Sequence, residues 1–94
     1  MTRIVLTAQV EDAAKWEEGY RAHAPMIREF LGVTKPVHFS ANVETNEICI
    51  SVVPDDLEKY LELVQSSEIA EAMDKNGVKR ETAKLYILDK VLQT

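Results

Sequence analysis

The chain is built from two similar halves. Sliding the sequence along itself until Ile4 falls on Ile48 places Ile4-Val5-Leu6-Thr7 on Ile48-Cys49-Ile50-Ser51. The same offset sets Asp12 on Asp56, Lys15 on Lys59, Trp16 on Tyr60 and Glu18 on Glu62, and one inserted residue later Gly32-Val33 lies against Gly77-Val78. Each half opens on an apolar, β-branched run, passes an aspartate into residues of helical spacing, and closes on a glycine. Paired, the halves bury their apolar faces against each other. Within 94 residues they make one domain spanning 1–94. It is expected to be a ferredoxin-like α+β fold, a four-stranded antiparallel sheet with the helices on one face.

Local signals set the elements. Residues 3–10 (RIVLTAQV) alternate apolar with polar or small side chains and read as a strand. Helical spacing follows, with Asp12 as N-cap. Pro25 lacks an N–H and crowds the preceding turn, so the helix is expected to kink or stop near Ala24. A second short piece then runs from Pro25 to Leu31, ended by Gly32. Residues 37–43 and 47–53 read as strands joined by Glu44-Thr45-Asn46. Pro54-Asp55-Asp56 opens the second helix, whose pattern falters at Ser66-Ser67, restarts and stops at Gly77. Residues 83–92 make the last strand, giving the order βαββαβ.

Composition narrows the function classes. Sixteen acids against eleven bases leave a formal charge of −5, which argues against a nucleic-acid partner. The central strands carry no aromatic residue on which a base would stack. No run approaches the roughly 20 apolar residues of a membrane span, and Ile4-Val5-Leu6 is too short for a signal-peptide core. Cys49 is the single cysteine, so no internal disulfide forms, which suits a cytoplasmic location. One cysteine and two separated histidines give no zinc spacing, and no glycine lies close enough to another to cradle a phosphate. The pairs Glu11-Asp12 and Asp55-Asp56 read as helix caps and dipole complements rather than metal ligands.

Strand alternation assigns two faces. Ile4, Leu6, Ala8, Val37, Phe39, Ala41, Ile48, Ile50, Val52, Leu85 and Ile87 should face the helices. Val5, Thr7, Gln9, His38, Ser40, Asn42, Cys49, Ser51, Val53, Tyr86 and Leu88 should line the opposite face. That second set is too apolar for open water and too polar for a monomer core. It fits a sheet-on-sheet contact in a homodimer, the alternative being an exposed amphiphilic sheet. His38 would be an interface hydrogen-bonder there, and Cys49 an inert buried thiol.

A candidate site lies on the first helix. At helical spacing Trp16, Tyr20 and His23 share one stripe, with Gly19 beside it. An imidazole on an apolar face needs partners for both ring nitrogens. A glycine in a helix interior costs about 1 kcal/mol against alanine and leaves room beside its neighbours. Trp16, Gly19 and Phe39 are the ligand-binding candidates for a small planar organic molecule, with His23 and Tyr20 the catalytic ones. His23 would move a proton as general acid or base. Tyr20 would orient it or donate to a developing oxyanion. The competing account has His23 closing the helix by hydrogen bonds to carbonyls freed at Pro25.

The element order, the size and the stretch VEDAAKWEEGYRAHAP, with its aromatic first helix and His23-Ala24-Pro25 break, resemble the dimeric α/β-barrel superfamily. That group includes small antibiotic-biosynthesis monooxygenases, muconolactone isomerases, stress-responsive A/B-barrel proteins and polyketide-type cyclases. The resemblance implies a homodimer with the sheets face to face and a pocket between sheet and helices. It also implies proton-transfer (isomerase or cyclase) or monooxygenase chemistry without a metal, flavin or other cofactor. The haem-degrading branch uses a second-helix histidine, and none lies between Asp55 and Gly77. A non-catalytic binding, accessory or regulatory dimer remains the alternative.

Overall fold

The computed structural model describes residues 2–89. Its elements are β1 (Arg3–Val10), α1 (Ala13–Leu31), β2 (His38–Asn42), β3 (Glu47–Val52), α2 (Leu57–Val64), α3 (Ser67–Lys75) and β4 (Val78–Leu88). The sheet order is β2-β3-β1-β4, and every neighbouring pair is antiparallel. This is the ferredoxin-like arrangement, in which each half contributes one central strand and one edge strand. No helix among the described residues is long and apolar enough to cross a membrane.

The expected caps form. Asp12 accepts hydrogen bonds from the backbone N–H groups of Ala14 and Lys15, at 3.0 and 3.2 Å. Asp56 accepts from Lys59 N–H at 3.1 Å, and Ser66 caps α3 through Ile69 N–H at 3.4 Å. Both helical layers end on a left-handed glycine, Gly32 at φ 68° and Gly77 at φ 73°. Asp55 does not cap; it accepts from Thr34 Oγ1 and pairs with Lys35, tying the loop after α1 to the start of α2. Asn46 joins the β2–β3 hairpin to α1, because its side chain accepts from Ala13 N–H at 3.0 Å.

Three expectations need correction. First, α1 does not stop at Ala24 but runs unbroken through Pro25 for 19 residues. An interior proline costs about 3 kcal/mol. Beyond it, half-buried Ile27 and buried Leu31 pack into the core, each contributing roughly 1.5–3 kcal/mol when fully buried. Continuing the helix therefore wins. Second, β4 begins at Val78 rather than at residue 83. Val78 and Lys79 pair with Val10 and Gln9 across a register shift, where Thr82 Oγ1 accepts from Gln9 N–H. Pairing with β1 recruits a polar segment that alternation alone does not mark. The expected strand residues Lys90, Val91 and Leu92 lie outside the described residues.

Third, the face assignment is right in register but not in burial. The ladder puts Ile4, Val52 and Ile87 on one face, with Val5, Ser51, His38 and Tyr86 on the other. Yet Ala41 is exposed, and Leu85 and Ile87 stand 36% and 47% exposed. They sit on edge strands, at positions the helical layer does not cover. Val53, assigned to the open face, lies just past β3 and is buried.

Replacing Pro25, which is exposed, by alanine restores one backbone donor and relieves the ring clash. Pro25→Ala is expected to raise unfolding stability by up to about 3 kcal/mol in urea denaturation. A loss of stability would show that the proline ring supports the helix instead of straining it.

Candidate functional site

The core between helices and sheet is divided. One cluster gathers Ile4, Leu31, Val33, Val52, Tyr60 and Ile69; the other gathers Ala8, Val10, Ala13, Trp16, Tyr20 and Ile48. Between them lies a cavity of about 80 Å³, lined from both clusters. Its walls are mostly aliphatic, interrupted by Trp16, Tyr20, Arg28, Tyr60 and Asn76. Close-packed interiors leave few such spaces.

Trp16 and Tyr20 form one wall. Their rings stack with centroids 5.1 Å apart, and Phe39 braces both at 5.8 and 5.0 Å. The Arg21 guanidinium carbon lies 5.2 Å from the Phe39 ring centre, on the side open to water. Trp16 is 2% exposed, so its orientation is set by packing on every side. Burial raises the pKa of Tyr20, an effect only partly offset by the Arg28 charge. Burial, with Tyr20 nearby, pushes Tyr60 up to about 12. Both phenols are therefore neutral hydrogen-bond donors at physiological pH.

Arg28 supplies the cavity's only charge among the described lining residues. Its Nη2 donates to the carbonyls of Thr34 and Lys35 at 3.3 and 3.1 Å. Its Nε is buried and has no hydrogen-bond partner among the described residues. Asn76, at the C-terminal cap of α3, brings its amide under α1 at Gly19.

Of the expected site residues, the structure brings Trp16 and Tyr20 to the cavity and sets Phe39 behind them. His23 is exposed and outside the lining. Buried Ala13, Trp16, Tyr20 and Leu31 centre the packed stripe of α1 roughly 60° from His23, counting about 100° per residue. Ala13, Trp16 and Tyr20 alone already centre that stripe roughly 50° from His23, so the imidazole lies at its margin whether or not the helix continues past Ala24. Gly19 does not leave a hole, because a Cβ there would lie 2.6 Å from Asn76 Oδ1. The glycine admits Asn76, not a ligand. His38 is exposed on the open face, and Cys49 is a half-buried free thiol on that same face.

Tyr60, Arg28 and Asn76 escaped the sequence reading. Tyr60 carried a signal, since the internal repeat sets it opposite Trp16. Arg28 carried none, because an arginine in the last turn of a helix ordinarily complements the dipole in water. Among the described residues no cluster of three or more His, Cys, Asp or Glu could hold a metal ion.

The fold is shared with solved structures. A putative antibiotic biosynthesis monooxygenase from Bordetella bronchiseptica superposes with a TM-score of 0.72 at 16% identity, covering 97% of each chain. One from Deinococcus radiodurans gives 0.67 at 15% identity, covering 100% of this chain and 96% of the other. SnoaB, a cofactor-independent oxygenase from Streptomyces nogalater, gives 0.62 at 14% identity, covering 99% and 94%. These likenesses are likenesses of fold. No protein-family model and no curated protein sequence matches the chain.

The raised pKa of Tyr60 sets a pH dependence. The unfolded phenol ionises near pH 10, while the folded one holds its proton to about 12. Across that window the native state binds more protons than the unfolded one, so stability falls as pH rises. Urea unfolding between pH 9.5 and 11.5 should show this decline, at most about 1.4 kcal/mol per pH unit for one group. Tyr60→Phe should reduce it, leaving the part that buried Tyr20 contributes. An unchanged slope in that variant would place the titration elsewhere.

Proposed function

We propose that this protein handles a small, largely apolar molecule in the cavity beneath α1, with chemistry of the cofactor-independent monooxygenase type. The observation that carries this reading is the unfilled space between two otherwise well-formed core clusters, walled by the Trp16–Tyr20 stack. An apolar cavity loses dispersion contacts along its lining unless something occupies it. SnoaB, of the same fold, is described as a cofactor-independent oxygenase. At about 80 Å³ the space is smaller than the ~150 Å³ that holds a benzene. A ring-sized ligand therefore requires adaptable lining such as Met73 to give way. Tyr20, kept protonated, would donate to an oxygen on which negative charge develops.

A specific observation favours a second reading, a binding module without turnover. Among the described residues the cavity lining contains no aspartate, glutamate or histidine to take a substrate proton near neutrality, and His23 stands outside it. An oxygenase at this site must accept a substrate that ionises readily without such a base.

The open sheet face and the outer strand support a homodimer. Leu85, Tyr86, Ile87 and Leu88 are 36%, 44%, 47% and 45% exposed in one continuous run. Tyr86 and Leu88 lie on the open face and Leu85 and Ile87 on the helix side, so this outer strand offers apolar side chains at both faces of its edge, which supports association there. On the open face, half-buried Val5, Thr7, Cys49 and Ser51 add a mixed surface suited to sheet-on-sheet packing.

Native mass spectrometry of freshly purified protein tests both parts. The expected spectrum is a dimer carrying a discrete extra mass, with Leu88→Asp shifting it to monomer. A clean monomer overturns the dimer. Absence of any bound mass, together with no compound in a thermal-shift library raising Tm, overturns the small-molecule reading. Oxygen uptake with the identified ligand separates oxygenase from binder.

A further inference from the structure

The geometry points to a small carboxylic acid, bound as its anion, as the class of ligand this cavity takes, with Arg28 as its anchor. This rests on the reading that the cavity receives a small molecule. The guanidinium is held from one side only: Nη2 is engaged by the carbonyls of Thr34 and Lys35, while Nε is buried without a partner among the described residues. Its charge is also unpaired. The ion pairs among the described residues are Arg21–Glu17, Lys35–Asp55 and Arg80–Asp74, and none includes Arg28. Asp55, which binds the same loop, is already engaged by Thr34 and Lys35.

The rest of the cavity agrees with an anion. Tyr20 and Tyr60 are neutral donors, and no carboxylate is among the described lining residues. One fixed positive charge, hydrogen-bond donors beside it and aliphatic walls elsewhere complement a single negative charge on an apolar body. Arginine suits a carboxylate because the planar guanidinium matches planar oxygens. A phosphate would bring further charge into about 80 Å³ with no second cation among the described lining residues to meet it. A neutral carbonyl could accept from Nε but would leave the guanidinium charge uncompensated.

Titrating the full-length ¹⁵N-labelled protein at pH 7 with butyrate and benzoate, and separately with butyramide and benzamide, tests this. Trp16 is the only tryptophan, so its fluorescence reports the cavity directly, and the Arg28 Nε–H resonance reports the anchor. The acids are expected to bind about tenfold or more tighter than the amides, and to shift the Nε–H signal. Arg28→Gln should abolish that preference, and Arg28→Lys should keep part of it. Amides binding as tightly as acids overturns the anion assignment while leaving the small-molecule cavity standing. A preference for acids that persists in Arg28→Gln, or an unmoved Nε–H signal at saturation, overturns it as well. Binding of neither class overturns both readings. The wild-type titration decides the matter even if Arg28→Gln folds poorly.

Discussion

Antiparallel pairing of β1 with β3 is the contact on which the rest of the structure depends. Each of these strands opens one half of the chain, so their ladder, from Ile4↔Val52 to Gln9↔Glu47, joins the halves into one sheet. With the central strands paired, each half's return strand is forced to an edge, β2 beside β3 and β4 beside β1. The helices then cover one face only. Ile4, wholly buried at one end of this ladder, packs with Val52, Leu31 and Tyr60 in one of the two core clusters. The opposite face and the far end of β4 are left without cover.

The same construction explains the cavity. Both helical layers must reach across one sheet, and each brings its own aromatic residue, Trp16 from α1 and Tyr60 from α2. They anchor separate clusters, and the space between is not closed by either. Continuation of α1 through Pro25 brings Arg28 to the edge of that space with part of its guanidinium out of water. An unbroken helix thus accounts for both an interior proline and a half-buried arginine whose Nε is out of water. The electrostatics follow from burial, which keeps the Tyr20 and Tyr60 phenols protonated.

Much of the fold was legible because its signals are local. Asp12, Asp56 and Gly32 mark helix ends by chemistry that needs only neighbouring backbone, and the structure shows each in that role. Alternation predicted which side chains share a face, and the ladder agrees. The site was legible in part. Trp16 and Tyr20 reach the cavity because large aromatics at helical spacing must be buried. His23 stays in water because it lies at the margin of the buried stripe, and Gly19 leaves no hole because its neighbour Asn76 is distant in sequence.

By itself, then, the sequence determined the element order, the caps and the two-sided character of each strand, since these rest on bonds and periodicities spanning a few residues. The tertiary structure decided whether Pro25 ends a helix, where β4 starts, and which polar groups lose their water. Those outcomes depend on competition between a local cost and burial against residues far along the chain. For Arg28 the deciding fact is that two loop carbonyls and an apolar wall surround a group that periodicity alone places at the surface.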